Sequence, residues 1–429
     1  MEASLSAAVS GINAEQTWLD AIANNLANSD TVGFKESDVQ FSELLTQQVS
    51  GATAPVPPAR GGVNPVVVGS GVSVAAITPR FTQGSITSTG VASDAAIQNN
   101  GFFVVNDGGQ QVYTRDGEFN VDANGNLVTA SGGLFQGWMA TNGVVTPNGP
   151  TTALTIPTDQ QTPARATSQI VLGGNLPSGA TTPQQATVTA YDGQGNPVPI
   201  TLTFSPSTTA ANEWTISGTT TDPATGATEN LTFTGGNPTI TFGANGQVED
   251  VNGAAVSATT PTALAFDAPA GYQFPAGATI SLEVPPPNGA ASMTQDAGND
   301  SAGAVSQNGF QAGTLESYSI GASGTITGSF SNGQTATIGQ IALANFANET
   351  GLADQGGGYY AQSANSGAPQ IGAPGSGSLG TLTGGAVEAS NVNMASQLTS
   401  MVEAQTNYEA NTKVVSTTDG VLQALVQMA

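Results

Sequence analysis

Carboxylates are the side chains of this sequence whose chemistry could support acid–base catalysis. The chain of 429 residues has 30 Asp and Glu against 6 Lys and Arg, and it has no His and no Cys. The lack of His and Cys excludes Ser-His-Asp and Cys-His nucleophiles, zinc sites built on either residue, disulfides and histidine pH switches. An enzyme of this composition would have to work with carboxylates alone.

Two acidic pairs, Glu229 with Asp267 and Glu249 with Asp250, are the candidates for such a reaction. Two carboxylates act together in glycoside hydrolysis when a fold holds them at a defined separation. Nothing in the sequence fixes these separations, and solvated turns explain both pairs. We therefore predict no enzyme activity, no catalytic residue and no cofactor. A secreted β-rich adhesin or carbohydrate-active enzyme is kept as a remote alternative.

The stretch Asp122-Ala123-Asn124-Gly125-Asn126 partly resembles a calcium-binding loop, in which side-chain oxygens alternate along the chain. The distal Glu of such a loop is missing here. Asn-Gly is also a strong signal of a tight hairpin turn, because both positions readily take positive φ. We predict a hairpin turn and no metal site.

The charge balance limits the partners of this chain. A formal net charge of −24 argues against nucleic acid and anionic membranes, because both attract basic surfaces. The first residues lack the basic and apolar regions of a cleaved signal peptide, and no run of about 18 apolar residues predicts a transmembrane helix. We expect that, if the protein leaves the cell, it does so without a cleaved leader.

Amphipathic helices are predicted at both ends of the chain, over 4–28 and 391–429. In the first, apolar residues recur seven apart with two more beside them: Leu5, Val9, Ile12, Leu19, Ile22 and Leu26. In the second, a 3.5-residue spacing joins Met394, Leu398, Met401, Tyr408, Thr412, Val415, Leu422 and Val426 into one stripe, which Gln405 and Asp419 interrupt. Each stripe could pack on its own chain or form a coiled coil with neighbouring subunits, and both options stay open here.

Between the helices the sequence predicts β-structure. The predicted fold class is α+β and mainly β, with discontinuous β domains nested inside an N- and C-terminal helical coiled-coil domain. Changes in composition suggest a helical core domain (1–35 with 391–429), an extended connector (36–75), a discontinuous β domain (76–140 with 306–390) and an inserted β domain (141–305). Residues 351–385 are low in complexity, and composition does not separate disorder from an ordered connector there.

Several motifs along the chain resemble those of one family, the rod and hook proteins of the bacterial flagellum. The N-terminal motifs are Ser10-Gly11-Ile12-Asn13-Ala14, Asn24-Asn25-Leu26-Ala27-Asn28 and Thr31-Val32-Gly33-Phe34-Lys35. Those of the middle and C-terminal parts are Asn100-Gly101-Phe102-Phe103, Tyr113-Thr114-Arg115-Asp116-Gly117, Ala344-Asn345-Phe346 and Glu388-Ala389-Ser390-Asn391-Val392. The residues that carry the terminal signature are Asn25, Asn28, Gly33, Phe34, Lys35, Ser390 and Asn391. They occur in the family's order over roughly half the chain.

The resemblance implies a structural subunit that assembles helically with copies of itself into a flexible hollow tube transmitting torque. The length and the inserted domain, with Val188-Thr189-Ala190-Tyr191-Asp192 and Trp214, are similar to the hook members of the family, and a distal rod protein is the alternative. The implied partners are the distal rod protein, the hook cap, the hook–filament junction proteins and the flagellar type III export apparatus. The implied location is the extracellular flagellum.

A short hydrophobic motif, Phe41-Ser42-Glu43-Leu44-Leu45, is similar to one that the export gate reads in this family. Phe41 and Leu45 would be its recognised residues. An ordinary buried turn explains the same pattern about as well, so both interpretations stay open at this point.

Overall fold

The computed structural model describes residues 2–55, 60–141, 143–147, 149–157, 161–287, 289 and 291–428. Residues 56–59 of the predicted connector and Ala429 of the predicted second helix lie outside these ranges. The described chain is mostly β-strand, with one long α-helix at each end, as the sequence predicts. It divides into two compact units. Unit 1 comprises Met1–Pro157, Tyr318–Gly328 and Ala336–Ala429, and unit 2 comprises Thr158–Ser317 and Ser329–Thr335.

The terminal helices are α1, Glu2–Ala27, and α2, Met394–Met428, and both lie in unit 1. They match the two predicted helical stretches within three residues at each end. The helices pack against each other antiparallel, since Gly11 lies against Asn411 and Asn25 contacts Gln397. A 3₁₀ turn also occurs at Glu349–Gly351.

Unit 1 contains many short strands, and its first four form an extension after α1. In this extension Ser37–Glu43 pairs antiparallel with Val72–Pro79, and Thr46–Ser50 pairs with Val66–Gly69. The remaining strands are Ile86–Ser88, Ala95–Gln98, Phe102–Asp107, Gln110–Thr114, Asn120–Val121, Leu127–Val128, Leu134–Met139, Thr152–Ala153, Leu343–Asn345, Ala353–Gly356, Tyr359–Ala361, Gln370–Gly372, Thr381–Gly384 and Ala386–Glu388.

The sheet of unit 1 joins segments that are far apart in sequence. Phe102–Asp107 pairs with the following strand Gln110–Thr114 and also with Leu134–Met139 and Leu343–Asn345. Phe102, Tyr113 and Phe346 are buried in one core cluster, with ring centroids 6.0 Å and 4.8 Å apart for the two pairs that Phe346 makes. The low-complexity residues 351–385 carry several of these short strands.

Unit 2 contains two sheets around one apolar core. The strands of the larger sheet are Gln184–Tyr191, Pro197–Pro206, Glu213–Thr221, Thr228–Asn230, Thr239–Phe242, Val248–Val251 and Ala254–Ala255. Those of the smaller sheet are Gln169–Asn175, Thr262–Asp267, Thr279–Val284, Met293–Thr294 and Gly303–Gln307. Alternate residues of these strands, including Trp214, Phe204 and Phe266, are buried in the core. Unit 2 also contains Gln161–Thr162, and the strands Gly313–Ile320, Thr325–Phe330 and Thr335–Ile341 are divided between the units.

Candidate functional site

The two terminal helices meet along a seam of small residues. Ala8, Gly11 and Ala14 of α1 and Ala404 of α2 are all buried. Small side chains let two helix backbones approach closely, and at Gly11 the Asn411 side chain occupies the space that a Cβ atom would need. The seam therefore fixes one close antiparallel register for the helix pair.

Amide and carboxylate side chains lie beside this seam. Asn25 Nδ2 donates a hydrogen bond to Gln397 Oε1 at 3.4 Å, and both residues are buried. Glu15 hydrogen-bonds with the Asn407 side chain, but its Oε2 atom is buried without a hydrogen-bond partner among the described residues. Burial raises the pKa of the Glu15 carboxyl, the Asn407 hydrogen bond opposes this, and the charge of Glu403 adds to it. The helix pair is thus held partly by polar contacts.

The predicted assembly residues of α1 mostly face inward. Ile22 is fully buried, whereas Leu5, Ile12, Leu19 and Leu26 are half-buried and Val9 is exposed.

The predicted stripe of α2 is divided between two faces. Met401, Tyr408, Thr412 and Val415 are half-buried, while Leu398, Gln405, Leu422 and Val426 are exposed, as are Met394 and Asp419. The division has a geometric cause, because a 3.5-residue repeat drifts around a straight helix of 3.6 residues per turn. One chain therefore covers only part of the stripe, and an apolar face that includes Leu398 and its neighbour Val402 remains in solvent.

The C-terminal end of α2 extends past α1. In the register set by Gly11 with Asn411 and Asn25 with Gln397, the start of α1 at Glu2 lies level with Gly420. Val421, Leu422 and Val426 follow this point and are exposed, Val426 to 77%. The last two turns of α2 are therefore an apolar segment without cover from α1.

The strand extension over residues 37–79 carries a second exposed apolar surface. Leu45 is 90% exposed, and the exposed large apolar side chains on this extension are Phe41, Leu44, Leu45, Val49, Val63, Val66, Val67, Val68 and Ile77. Phe41 contacts Trp18 of α1 edge to face, with ring centroids 5.9 Å apart. Leu45 lies at the junction of two strands in solvent, so the interpretation of Phe41–Leu45 as a buried turn is wrong.

A buried ionic cluster joins the chain segments that follow α1 and precede α2. Lys35 Nζ lies 2.6 Å from Glu388 Oε1, and Arg115 Nη1 lies 3.4 Å from Glu388 Oε2. The three side chains are 0%, 0% and 1% exposed for Lys35, Glu388 and Arg115 respectively. Two buried cations thus share one buried carboxylate, an arrangement that we call the Lys35–Glu388–Arg115 cluster.

Burial and charge act against each other on the pKa values in this cluster. Burial lowers the pKa of Lys35 and of Arg115, and the charge of Glu388 opposes both shifts. Burial also raises the pKa of the nearby Glu349 carboxyl, and the positive charges of Arg115 and Lys35 oppose this rise. The Arg115 guanidinium also lies 5.1 Å from the centre of the Phe102 ring, a favourable cation–π distance. The opposing charges compensate in part for the removal of these groups from water.

The remaining signature residues organise backbone around the same cluster. Gly33 has φ of +69° and donates its N–H to the Glu388 carbonyl at 2.8 Å. Asn391 accepts from Glu36 N at 2.8 Å and donates to the Arg80 carbonyl at 2.7 Å. Asn25 both donates to and accepts from the backbone of Ser37, at 2.9 Å in each case.

Three further signature residues lie close to these contacts. Asn28 Nδ2 donates to the Asn24 carbonyl, Ser390 Oγ accepts from Val392 N, and the Phe34 side chain is half-buried. All seven signature residues therefore lie where the terminal helices leave the β part of unit 1.

Sequence reasoning identified Lys35 as a signature residue but missed its ionic partner Glu388 and the second cation on that carboxylate, Arg115. The signal was present, because Lys35 and Arg115 are two of only 6 basic residues and both fall inside motifs of the resemblance. A basic residue inside such a motif, in a chain so poor in cations, indicates a specific acidic partner.

The predicted hairpin turn at Asp122–Asn126 is confirmed. Asp122 Oδ1 accepts from the backbone N–H groups of Asn124 and Asn126, each at 2.8 Å. Asp192 accepts from Gln194 and Asn196 in the same way, so its carboxylate stabilises a turn. No described residues form a group of three or more acidic side chains that could hold a metal ion. Glu229 and Asp267 line one cleft in unit 2, while Glu249 is exposed and Asp250 is half-buried.

Comparisons with known protein families cover most of the chain. The family described as Flagella basal body rod protein matches residues 5–35, and Flagellar basal body rod FlgEFG protein C-terminal matches 383–428. Flagellar hook protein FlgE/F/G D1 domain matches 96–171, and Flagellar basal body protein FlaE D2 domain matches 161–310. These matches place the chain in the class of flagellar rod and hook proteins.

Relatives that align over nearly the full chain identify one family within this class. The chain is 38% identical to Flagellar hook protein FlgE of Salmonella typhimurium, with 99% of this chain and 100% of that protein aligned. It is 35% identical to the Escherichia coli (strain K12) protein of the same name, over 99% of both chains, and 33% identical to that of Borreliella burgdorferi, over 100% of both. The chain belongs to the flagellar hook protein FlgE family.

A solved structure, Crystal structure of Helicobacter pylori flagellar hook protein FlgE2, is 14% identical and aligns with a TM-score of 0.49 over 71% of this chain and 100% of that chain. No helix among the described residues is both long and apolar enough to cross a membrane.

Proposed function

We propose that this chain is the structural subunit of the flagellar hook, and that it assembles helically with copies of itself into a flexible hollow tube. The observation that carries the proposal is the apolar face of α2 that α1 leaves uncovered, in a chain that aligns with hook proteins over nearly its full length. The distal rod alternative is not favoured, because the full-length relatives are hook proteins.

The two exposed apolar surfaces of unit 1 are suited to a contact that repeats from one copy of the chain to the next. The uncovered face of α2 and the extension over residues 37–79 are different surfaces, so a contact between them on successive copies would be heterologous. A heterologous contact that does not close into a ring generates a helical filament. Full burial of a Leu, Val or Met side chain contributes about 1.5–3 kcal/mol before the entropy of ordering, so a few such residues per subunit would drive assembly.

We propose that the domains of this chain are placed in the tube as the resemblance to the flagellar rod and hook family implies. A terminal domain formed by 1–35 with 391–429 would line the tube as a coiled coil, with the β domains nested between its two helices in sequence. The connector 36–75 would lead to a discontinuous β domain of 76–140 with 306–390, forming a middle shell, and the inserted domain 141–305 would face outward. Such a tube would transmit torque from rod to filament as a universal joint and would let exported subunits pass.

The proposed partners are further copies of the chain, the distal rod protein, the hook cap, the hook–filament junction proteins and the type III export apparatus. We propose no catalytic role and no nucleic-acid or membrane partner, which fits the net charge of −24. The proposed location is the extracellular flagellum. Normal secretion after joint substitution of Phe41 and Leu45 by alanine would discard the export-gate motif.

The assembly face can be tested with paired substitutions of exposed apolar residues. Leu398→Ser with Val402→Ser makes the uncovered face of α2 polar and changes no buried residue. We expect the critical concentration for tube formation to rise about tenfold or more, the equivalent of ~1.4 kcal/mol, with an unchanged melting temperature.

The matched control is Val144→Ser with Val305→Ser, which makes a similar apolar-to-polar change at two exposed positions that are not part of the terminal helices. This control should assemble like the wild type. Normal assembly of the Leu398→Ser, Val402→Ser variant would show that the α2 face is not the contact.

A further inference from the structure

The Lys35–Glu388–Arg115 cluster lies at the base of the helix pair. Lys35 follows the end of α1 at Ala27, and Glu388 precedes the start of α2 at Met394. Arg115 comes from the β part of unit 1, directly after the strand Gln110–Thr114. The cluster therefore ties together the segment that leaves α1, the segment that enters α2 and the sheet that both must be oriented against.

Stability alone is a poor explanation for this arrangement. Removal of three charges from water is costly, and apolar residues of similar volume often support a fold equally well. The cluster is also incompletely satisfied, because Arg115 Nε is buried without a hydrogen-bond partner among the described residues. A network selected only for stability would be expected to satisfy its buried donors.

The cluster constrains the direction of the chain segments attached to α1 and α2, which apolar packing alone would not do. Lys35 Nζ also donates to the Thr82 carbonyl at 2.9 Å, and Glu388 Oε1 also accepts from Gly84 N at 2.8 Å. Arg115 Nη1 donates to the Asn99 carbonyl at 3.0 Å. Each charged group is thus bonded to a particular backbone atom of the β part as well as to its ionic partner, and hydrogen bonds constrain angle as well as distance.

We propose that Lys35, Glu388 and Arg115 are positioning residues that set the direction in which α1 and α2 leave the β part of unit 1. Their role is to present the uncovered face of α2 to the next copy in the correct register. This inference rests on the proposed function, because a defined helix direction matters here only if the helices assemble with neighbouring copies.

The test distinguishes a role of the cluster in orienting the helices from a role in stabilising the fold. The variant Lys35→Met, Arg115→Met, Glu388→Leu replaces the three charged side chains with apolar ones. The control Glu36→Gln removes the more exposed ion pair of Glu36 with Arg80, whose Oε1 and Nη1 atoms lie 3.5 Å apart. For each purified full-length chain the melting temperature, the amide hydrogen exchange of α1 and α2 and the yield of tubes by electron microscopy are measured.

We expect the triple variant to keep the melting temperature of the wild type, to exchange the amides of 25–37 and 388–397 faster, and to yield about tenfold fewer tubes. Glu36→Gln should resemble the wild type in all three measurements. Tubes at the wild-type yield from the triple variant would overturn the inference while leaving the hook assignment intact. Failure of the wild-type chain to form tubes would instead overturn the proposed function and the inference with it.

A second variant covers the case in which the triple variant does not fold. Glu388→Asp keeps the charge but shortens the side chain by one methylene, so one carboxylate no longer reaches both cations in the same geometry. We expect its β-strand amides to exchange as in the wild type, with faster exchange in 388–397 and a lower tube yield. A wild-type tube yield from Glu388→Asp, with unchanged exchange, would overturn the inference.

Discussion

Gly11 of α1 packs so closely against Asn411 of α2 that a Cβ atom on Gly11 would lie 2.7 Å from Asn411 Nδ2. A glycine inside a helix costs roughly 0.5–1 kcal/mol relative to alanine, so this position trades helix propensity for close approach. The contact fixes the antiparallel register of the two helices, and that register leaves the end of α2 uncovered.

Replacement of Gly11 by leucine should force the helices apart. We expect a loss of about 1–3 kcal/mol in the free energy of unfolding, which is typical of overpacking at a tight contact. Urea denaturation followed by circular dichroism measures this change. The matched control is Gly420→Ala in α2, where a Cβ would meet nothing within 4 Å and where about 1 kcal/mol of stabilisation is expected from helix propensity. An equal effect of both substitutions would contradict the tight contact at Gly11.

Replacement of Gly33 by alanine should disturb the base of the helix pair. Gly33 has φ of +69°, and a Cβ there would lie 2.6 Å from the backbone nitrogen of Asp116. The positive φ costs an alanine about 1–2 kcal/mol, and the clash with backbone adds to this. Gly90→Ala is the control, since Gly90 has φ of +72° but nothing lies within 4 Å of its Cβ position. Chemical denaturation should show a clearly larger loss of unfolding free energy for Gly33→Ala than for Gly90→Ala. Similar losses would mean that the backbone near Gly33 shifts to accommodate the Cβ atom at no energetic cost.

Glu15 should make the helix pair more stable in mild acid. Burial raises the pKa of its carboxyl above the ordinary value of 4.5, so the folded chain binds this proton more tightly than the unfolded chain does. Stability contributed by Glu15 therefore increases as the pH falls through the raised folded-state pKa, and the gain is complete below 4.5. At neutral pH the charged carboxylate destabilises the folded state.

The substitution Glu15→Gln removes this titration. We expect a higher melting temperature than that of the wild type at neutral pH, with a difference that shrinks as the pH approaches 4.5. Asp20→Asn, at an exposed carboxylate of the same helix, is the control. A melting temperature for Glu15→Gln that stays below the wild-type value at neutral pH would show that the Asn407 hydrogen bond outweighs burial.

The sequence was sufficient to predict the helices and many strands because these elements depend on local patterns. Apolar residues seven apart predicted α1, and strands such as Gln184–Tyr191 alternate in burial as their sequence alternates in polarity. The covered and uncovered faces of α2 were not predictable in the same way. Which part of an apolar stripe is buried depends on the partner helix and its register, and Gly11 with Asn411 sets that register through tertiary contact.

The ionic cluster could not be derived from local patterns either. Lys35 and Glu388 are separated by 353 positions, and neither has a periodicity that indicates the other. The ladder between Ser37–Glu43 and Val72–Pro79 was missed for a related reason. Phe41 and Ile77 of this ladder remain exposed and only Val39 is buried, so burial along its strands does not alternate as it does in a half-buried strand.

The central claim is that one chain exposes an assembly face that other copies of the same chain cover. Electron microscopy of the purified full-length chain, over a range of protein concentrations, tests this most directly. We predict tubes with a central lumen above a critical concentration, and a critical concentration about tenfold higher or more for the Leu398→Ser, Val402→Ser variant. Isolated particles at every concentration, with folded helices shown by circular dichroism, would contradict the claim.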